Sequence, residues 1–443
     1  MDEKINEKQN QEQLKILELI DAYYPNVDGA ISVAKNFTNS LSKKVKCLLA
    51  VPKPAKKSNY KDQENFEVIR TKSTLAPEGY RLAFPEMDAE FCNRILGEDL
   101  DIMHAHSPFS MGRFAIKMAK KKKIPVVATL HTQYHQDFLR VTKSKALTQF
   151  MVSYIMEVYN KADSVWTVSE ASKKYLRDYG YKGKIEVVRN GTDLTYPKNA
   201  DELVENINVK HQLKGQKNVF LFVGRMAWYK NLRLLIDSLK IIKDKGIDFK
   251  MIFVGGGFDY KEVYEYAEET GVMDRCIFTD TVTDKQLIQG YYLRADLFLL
   301  PSTFDMAPIT KEEAAVHKLP CVVVEGSCSA ERVVDGENGY VSKETKEDFA
   351  NIVIQTCKDD EARNKVGENA YATLYRSWDM VGEEVIAKYR EIIKEYKEKQ
   401  QQKARIKKIR KQKEKGKSYS KAIKIVKKMQ DGEKTKTKKI EKK

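Results

Sequence analysis

The chain has 443 residues, of which 42% are hydrophobic and 10% aromatic; this is enough for two or three domains and excludes a fully disordered protein. Its net charge is +16, and nearly all of that excess lies in residues 401–443, which contain 19 Lys or Arg and 4 Asp or Glu. No run approaches the roughly 20 apolar residues that cross a bilayer, and the first residues lack the apolar stretch of a signal peptide. We expect a cytoplasmic protein with a neutral body and a basic C-terminal tail.

Cysteine and histidine residues are scattered along the chain. None of the six cysteines belongs to a CxxC pair, which is typical of reduced thiols. His104, His106, His131 and His135 are close in sequence, but no acidic or cysteine partner stands at ligand spacing. We therefore expect no metal site, and we interpret His104 and His106 as structural histidines at the end of a buried strand.

Apolar runs alternate with helical periods along most of the chain, which predicts βαβ units and parallel sheets. The first series of predicted strands comprises residues 14–20, 45–51, 66–70, 101–106, 125–131, 164–169 and 184–190. The polar stretch that follows, residues 191–216, predicts a linker. The second series comprises residues 218–224, 249–257, 276–280, 297–302 and 320–326.

The two series predict an α/β protein with two doubly wound, Rossmann-like domains that face a central cleft. Strand C-termini and helix N-termini meet in such a cleft and suit an anionic, nucleotide-like ligand. The predicted divisions are a first domain over residues 1–195, a second over 196–376, a helix over 377–400 that packs back on the first domain, and the lysine-rich tail over 401–443.

Two cations follow the first strand of the second series. Gly224 and Arg225 come directly after that strand, and Lys230 lies five residues beyond Arg225. A glycine at a strand end lets the backbone approach a ligand closely, and an Arg with a Lys past the edge of a sheet can hold a diphosphate. Solvated loop charges are the alternative interpretation of this segment taken alone.

A second segment joins a buried strand to a helix and carries Asp305 and Glu313, which are separated by seven residues. We predict that the helix starts near Ala307, with Pro308 in its first turn and Asp305 just before its N-terminus. Free N–H groups at that end favour a phosphate. An N-cap Asp and a surface Glu are the alternative.

The motifs along the chain resemble, in order, those of the retaining GT-B glycosyltransferases of family 4. The phosphate-clamp segment is VGRMAWYKN (223–231), and the segment from Asp305 to Glu313 stands in the place of the family's E-x7-E motif. The likeness runs from residue 14 to about 396 and also includes YYPNVDG (23–29), HAHSPFSMGR (104–113), VVATLHTQYH (126–135) and AERVVDGENGY (330–340).

This resemblance implies a nucleotide-sugar site on the second domain and an acceptor side on the first. Arg225 and Lys230 would hold the donor diphosphate, Glu313 the ribose, and Asp305 would lie beside the donor sugar. His131 matches the active-site histidine, and Glu331 matches a position of uncertain role. The residues so implied are, for catalysis, His131, Asp305, Arg225 and Lys230, and, for donor binding, Gly29, Gly224, Arg225, Lys230, Asp305, Ile309 and Glu313.

Departure of a nucleoside diphosphate develops negative charge on the leaving phosphate, which preorganised Arg and Lys can stabilise. We therefore expect a hexosyltransferase that needs neither a metal nor a cofactor. Retention of the anomeric configuration requires either a covalent carboxylate intermediate or a same-face attack assisted by the leaving phosphate, and both routes stay open.

Four positions depart from the family pattern. Asp305 is shorter than the usual Glu, Pro308 and Lys318 stand in place of glycines, and Gly29 is single where the family has a pair. We interpret these changes as a subfamily difference because Arg225, Lys230, Glu313 and His131 are present. The alternative is a non-catalytic partner subunit of a glycosyltransferase complex.

Two basic clusters predict binding to an anionic membrane surface. One is a short amphipathic helix in the tail, and the other is the helix that follows the HAHSPFSMG motif. The predicted membrane-binding residues are Arg113, Lys117, Lys120, Lys121, Lys424, Lys427 and Lys428. Nucleic-acid binding is not expected because the tail has one aromatic residue, Tyr419, and the chain shows no nucleic-acid motif.

The segments YYPNVDG and HSPFSMGR are similar to those of bacterial diacylglycerol glucosyltransferases. The resemblance therefore implies transfer of a hexose from UDP-glucose, or a close relative, to a membrane lipid or a lipid-linked acceptor. The protein would act at the inner face of the cell membrane, peripherally bound. A protein or polysaccharide acceptor is the alternative.

Overall fold

The computed structural model describes residues 13–26, 29–55, 58, 60–76 and 81–440, with side chains described as far as residue 411. The chain divides into a first unit that ends at Tyr389 and a second that begins at Arg390. Both parallel sheets belong to the first unit, and the second unit continues the last helix.

The described residues contain fifteen strands, all of them short. They are β1 (Lys15–Leu19), β2 (Lys46–Pro52), β3 (Glu67–Thr71), β4 (Ser73–Leu75), β5 (Arg81–Ala83), β6 (Ile102–Ala105), β7 (Val126–Leu130), β8 (Ser164–Thr167), β9 (Ile185–Val187), β10 (Val219–Val223), β11 (Lys250–Val254), β12 (Cys276–Thr279), β13 (Leu297–Leu300), β14 (Cys321–Val324) and β15 (Tyr340–Ser342).

Fourteen α-helices lie between or after these strands in the described part of the chain. They are α1 (Gly29–Ser42), α2 (Ala89–Gly97), α3 (Ser110–Lys122), α4 (Tyr134–Thr142), α5 (Lys145–Lys161), α6 (Lys173–Asp178), α7 (Ala200–His211), α8 (Leu232–Asp244), α9 (Tyr260–Glu269), α10 (Lys285–Arg294), α11 (Ile309–Val316), α12 (Lys346–Thr356), α13 (Asp360–Leu374) and α14 (Trp378–Ile440).

The two large sheets are parallel throughout, as the alternating pattern predicts. The first has the order β3-β2-β1-β6-β7-β8-β9, and the second has the order β12-β11-β10-β13-β14-β15. Their central strands are buried because helices cover both faces, which explains the nearly continuous apolar runs of the sequence. The α/β prediction with two doubly wound domains is confirmed.

The structure adds elements that the sequence pattern does not reveal. Strands β4 and β5 form a small antiparallel ribbon, and β15 completes the edge of the second sheet. Each of these three strands has only three residues, which is too short for the alternation of side chains to be recognised.

The predicted linker over residues 191–216 contains a helix, and this prediction was wrong in part. Helix α7 buries Leu203 and Ile207. Its backbone lies so close to α10 that a Cβ on Gly290 would stand 3.1 Å from the carbonyl oxygen of Leu203. The apolar spacing was hidden by the many charged residues between these positions, so the helix becomes evident only through its partner.

Helix α11 begins two residues later than predicted. Pro308 is its N-cap, with a ψ of 122°, and Ile309 is the first helical residue. Beyond the helix, Lys318 adopts the left-handed conformation (φ 58°) that favours glycine. The position therefore retains the backbone of a helix-ending glycine although its side chain has changed.

The start of α14 packs on the first sheet's domain. Trp378 and Tyr389 are buried, and the carbonyl of Trp378 accepts a hydrogen bond from Ser40 Oγ at 2.6 Å. The helix continues through the lysine-rich region as far as Ile440. The side chains of Lys424, Lys427 and Lys428 lie outside the described residues. None of the helices in the described ranges combines the length and the apolar character that a bilayer crossing requires.

Candidate active site

Both sheets have a point at which the strand order reverses. In the first sheet β1 lies between β2 and β6, and in the second β10 lies between β11 and β13. Open parallel sheets bind ligands outside the carboxyl ends of the strands at such points. The candidate site is therefore built from the segments that follow β1, β6, β10 and β13.

The loop after β10 packs backbone to backbone against the glycines after β11. Gly224 N donates to the carbonyl of Val254 at 3.0 Å, and Met226 N donates to that of Gly256 at 2.9 Å. A Cβ on Gly255, whose φ is 136°, would lie 2.1 Å from Gly224 O. Gly255 and Gly257, where an added Cβ would meet the backbone of Gly224 and Met226, therefore serve this close approach, which holds Arg225 at the sheet edge.

The structure brings together two of the predicted donor-site residues. Lys230, at the end of a single 3-10 turn, forms an ion pair with Asp305 in the loop after β13. The side chains are 17% and 18% exposed, so the pair is only partly screened by water. The ring of Tyr229 lies 4.6 Å from that of Phe304 and fixes the two loops against each other. Tyr229 thus packs the loop.

Glu313 lies in the second turn of α11, and its carboxylate is occupied by a partner that the sequence analysis missed. Tyr292 Oη, from α10, donates to Glu313 Oε2 at 2.7 Å. Removal of the carboxylate from water, with a smaller contribution from Asp193, raises the pKa of Glu313 to about 7. The group can therefore change its protonation state near neutral pH.

In the first sheet, the loop after β6 is organised by Asp21, which follows β1. Its carboxylate accepts hydrogen bonds from the hydroxyls of Ser107 and Ser110 at 2.7 Å each and from the backbone N–H groups of Phe109 and Met111. These contacts explain why the HSPFSMGR motif has small hydroxyl residues at the start of α3. Part of that motif is therefore structural.

His131, the predicted active-site histidine, follows β7 and belongs to a buried polar chain. Its Nε2 lies 2.9 Å from His106 Nδ1, and His106 Nε2 lies 2.8 Å from Glu18 Oε2. Burial lowers the pKa of His131 well below its usual value, with His106 and His104 adding to the effect. His131 is therefore neutral at pH 7.

An acidic group does partner these histidines, although none stands at ligand spacing in the sequence. Parallel pairing of β1 and β6 places Glu18 beside His104, and the ligand atoms of Glu18, His104 and His106 lie within 4.8 Å of one another. The separation of these residues in sequence concealed the cluster. The interpretation of His104 and His106 as hydrogen-bonded buried histidines agrees with their contacts.

The two domains are joined at the loop that carries Asp305. Three polar side chains of the first domain donate to carbonyls of this loop: Gln133 Nε2 to Phe304 at 2.6 Å, Ser169 Oγ to Met306 at 2.8 Å, and Asn190 Nδ2 to Ala307 at 3.0 Å. The Oε1 atom of Gln133 is buried without a partner among the described residues. The sequence analysis did not identify any of these three residues.

Glu331, whose role the sequence left open, also connects the domains. Its Oε2 accepts from the backbone N–H of Ala171 at 2.9 Å, and its Oε1 lies 3.4 Å from Arg189 Nη2. Glu331 therefore contacts the first domain at two points: Ala171, which precedes β9 in the chain, and Arg189, which follows it.

The remaining predicted residues occupy separate places. Gly29 begins α1, and a Cβ there would meet nothing within 4 Å; Ile309 begins α11. Arg113 pairs with Glu157 and lies over the ring of Tyr154, and Lys117 pairs with Glu86. Lys120 and Lys121 are exposed at the end of α3. The basic cluster of α3 is therefore partly neutralised by its neighbours.

Comparison with known proteins places these features in a family. Residues 27–196 match the model described as Glycosyltransferase Family 4, and residues 204–373 match that of Glycosyl transferases group 1. The alpha-monoglucosyldiacylglycerol synthase of Acholeplasma laidlawii is 26% identical over 74% of this chain and 84% of its own length. The alpha-monoglucosyldiacylglycerol synthase of Streptococcus pneumoniae is 24% identical over 68% of this chain and 69% of its own length.

Solved structures show the same fold. HepE of Anabaena, in complex with UDP and glucose, has a TM-score of 0.68 with 17% identity and covers 85% of this chain and 99% of its own. Sucrose-phosphate synthase of Thermosynechococcus elongatus gives a TM-score of 0.68 with 16% identity and the same coverage. With two parallel sheets, paired switch points and both family models matched in order, the chain belongs to the family 4 glycosyltransferases of GT-B fold.

Proposed function

We propose that this glycosyltransferase transfers a hexose, with retention of the anomeric configuration, from UDP-glucose or a closely related nucleotide sugar to a diacylglycerol-type membrane lipid. The observation that carries the proposal is the Lys230–Asp305 pair at the switch point of the second sheet, next to the segment that begins with Gly224 and Arg225. A cation and a carboxylate at this place provide one group for the diphosphate and one for the sugar.

The ion pair explains how donor binding can prepare the site. A diphosphate that approaches Lys230 competes with Asp305 for its ammonium group, so that Asp305 is released to contact the sugar. Lys230 and Arg225 then stabilise the charge that develops on the leaving phosphate. This chemistry is supplied by side chains, and we propose that the reaction needs no metal ion.

The identities of donor and acceptor are supported by different observations. The structural neighbour from Anabaena binds UDP and glucose, which favours a uridine nucleotide. The two relatives with the printed name alpha-monoglucosyldiacylglycerol synthase favour a glucosyl group and a diacylglycerol acceptor.

A surface feature of the first domain also favours a lipid acceptor. Leu147, Phe150 and Tyr154 follow one face of α5 and are 47%, 68% and 45% exposed. Exposed lysines, Lys143 and Lys145, lie at the N-terminal end of the same helix. An apolar stripe next to cations fits the boundary between anionic headgroups and acyl chains. We propose that peripheral membrane binding uses this stripe together with the predicted basic residues.

The test is transfer by the purified full-length chain. A panel of nucleotide sugars is incubated with the protein and diacylglycerol-containing vesicles in the presence of EDTA, and glycolipid formation and donor hydrolysis are both measured. We expect glycolipid from UDP-glucose, with the α configuration kept. Binding of UDP without turnover of any donor would instead indicate a partner subunit, and activity that returns only with added divalent metal would contradict the metal-independent chemistry.

A further inference from the structure

Gln133, the residue that precedes α4, contacts the second domain through only one end of its amide. The residue is 1% exposed, and its Nε2 donates to the carbonyl oxygen of Phe304 at 2.6 Å. A carbonyl oxygen carries no hydrogen, so the nitrogen of the amide must face it, and the orientation of the amide is thereby fixed. The other end, Oε1, is buried without a partner among the described residues.

An amide oxygen without a partner is unfavourable in a protein interior. Such a group has lost its hydrogen bond to water and gained nothing in return, and most buried polar groups in native proteins do have a partner. Ser169 and Asn190 hold the same loop by donating to Met306 and Ala307. Within the described part of the chain, neither of them has a buried polar atom without a partner. The unpartnered oxygen is therefore a property of Gln133 and not of the domain interface in general.

The amide of Gln133 lies next to the candidate donor site. Phe304, whose carbonyl accepts from Gln133, directly precedes Asp305 in the chain. Asp305 pairs with Lys230, and the two side chains are 18% and 17% exposed. Solvent therefore reaches the residue that follows Phe304, and a ligand that contacts Asp305 comes close to the Gln133 amide.

The chemistry of Oε1 selects the group that can become its partner. An amide oxygen only accepts hydrogen bonds, so it needs an O–H or N–H donor. The phosphate oxygens of a nucleotide sugar are ionised at neutral pH and carry no hydrogen. Sugar hydroxyls can donate, and the proposed function places the ribose at Glu313 and the transferred sugar at Asp305. A hydroxyl of the transferred sugar is thus the group that fits.

We propose that Gln133 is a specificity-determining residue whose Oε1 accepts a hydrogen bond from one hydroxyl of the transferred sugar. The proposal rests on the proposed function, because it needs a nucleotide-sugar donor beside Asp305. The same amide holds the loop of Asp305 through Nε2 and contacts the sugar through Oε1. A sugar without that hydroxyl leaves Oε1 unpaired, and sites with a buried group left unpaired discriminate strongly against such analogues.

Donor analogues test this contact in the full-length wild-type protein. Calorimetry compares the affinity for UDP-glucose with that for analogues in which one glucose hydroxyl at a time is replaced by hydrogen or by fluorine. We expect one position at which both replacements weaken binding about tenfold or more, because neither hydrogen nor fluorine can donate. If no position behaves in this way, or if fluorine restores the affinity at every position that hydrogen weakens, the proposal is wrong.

The variant Gln133→Met assigns the discrimination to this side chain. Methionine has a similar length but no hydrogen-bond donor and only a weak acceptor. The variant should bind UDP-glucose no more tightly than the analogue that lacks the selected hydroxyl, and it should keep the wild-type ratios for the other analogues. Asn190→Leu is the matched control, since Asn190 holds the same loop through Ala307. It should weaken binding of every donor by the same factor. Unchanged discrimination in Gln133→Met, or its loss in Asn190→Leu, would overturn the proposal.

Two results separate this proposal from the proposed function. A chain that binds UDP-glucose but neither hydrolyses nor transfers any donor refutes the proposed function, and the affinities still decide the role of Gln133. If Oε1 instead accepts from the hydroxyl of the lipid acceptor, Gln133→Met slows transfer but leaves donor affinity and donor hydrolysis at their wild-type values. That outcome refutes the proposal and leaves the proposed function intact.

Discussion

At the scale of single residues, the candidate donor site combines charged groups that are held in place by neighbouring side chains. Lys230 is paired with Asp305, and Glu313 is paired with Tyr292. Such pairing keeps partly buried charges and carboxyl groups satisfied and fixes their positions. In the proposed function, binding of a donor exchanges the Lys230–Asp305 pair for contacts to the ligand.

Loss of the clamp should affect the rate of transfer more than the fold. We expect Arg225→Ala and Lys230→Ala each to slow transfer by two or more orders of magnitude, because a preorganised donor to developing charge contributes roughly 3–4 kcal/mol to the transition state. The rate constant kcat/KM and the thermal midpoint are measured together. Lys240→Ala is the matched control, since Lys240 forms an exposed pair with Asp244 on α8. Rates near wild type in both variants would show that the diphosphate does not bind at Arg225 and Lys230.

Glu313 should make donor binding depend on pH. Its pKa is raised to about 7, so Glu313 is fully ionised, and able to accept from a ribose hydroxyl as we propose, only above that pH. The affinity for UDP-glucose should therefore fall as the pH decreases from 8 to 6. Glu313→Gln should weaken binding about tenfold at pH 8 and abolish this dependence, with kcat less affected. Calorimetric titration at both pH values measures the effect. If Glu313→Gln kept the same pH dependence, a titratable group other than Glu313 would be responsible for it.

At the scale of elements, the position of Arg225 depends on the contact between the loops after β10 and β11. Gly255 is the point of closest approach, because a Cβ there would come within 2.1 Å of a backbone oxygen. The close approach allows the backbone N–H groups of Gly224 and Met226 to donate to carbonyls at the end of β11 and in the loop after it. The glycine run is thus a requirement of the fold that also serves the site.

The substitution Gly255→Ala should therefore reduce both stability and activity. We expect the free energy of unfolding to fall by about 3 kcal/mol or more, from the clash and the unfavourable φ of 136° together. Gly246→Ala is the control, because Gly246 also has a positive φ (74°) but has nothing within 4 Å of the Cβ position. It should cost only about 1 kcal/mol. Urea unfolding measures the loss of stability in both variants, and donor-hydrolysis assays measure the loss of activity. Equal losses of stability in Gly255→Ala and Gly246→Ala would contradict the importance of the contact.

Basic and apolar surface residues lie on different helices of the first domain. On α3, Arg113 and Lys117 are paired with acidic neighbours, whereas the apolar stripe lies on α5. A membrane-binding surface made of both helices would thus combine apolar residues from one with the exposed lysines of the other.

At the scale of the whole molecule, first-domain side chains hold the loop that carries Asp305. Gln133, Ser169 and Asn190 donate to three carbonyls within four residues of that loop. The position of the loop that carries Asp305 therefore depends on the approach of the two domains.

The basic tail and the α5 stripe give separable predictions for membrane binding. Deletion of residues 401–443 removes 19 basic and 4 acidic residues, so binding to anionic vesicles should fall sharply and lose most of its salt dependence. Phe150→Ser should weaken binding without changing the salt dependence, because an apolar contact is lost. Hydrolysis of a water-soluble donor should stay within about twofold of wild type in both, since neither change touches the charges that act on the leaving phosphate.

Sedimentation with vesicles of graded anionic content measures both effects. Val209→Ser is the control, because Val209 is a strongly exposed apolar residue on α7 of the other domain. Vesicle binding by the truncated chain equal to that of the full chain would exclude the tail as the anchor. Equal loss for Val209→Ser and Phe150→Ser would exclude a specific role for the stripe.

The sequence by itself determined the fold class and the positions of the main strands along the chain, and it predicted the segments of the candidate donor site. Long apolar runs in alternation with helical periods are a local property of the chain, and so are Gly224, Arg225, Lys230 and Glu313 at the ends of such runs. Strands β4, β5 and β15 and helix α7 escaped prediction because their patterns are short or interrupted by charge.

Only the tertiary structure decided which of these groups meet. The pairing of Lys230 with Asp305, the hydroxyl of Tyr292 on Glu313, and the chain from Glu18 through His106 to His131 all join residues that lie far apart in sequence. The register of parallel strands sets the start of the last of these: β1 beside β6 places Glu18 against His104, which lies 86 positions further along the chain. Periodicity reports which face a residue occupies, whereas the identity of its neighbour depends on strand order, which no local pattern encodes.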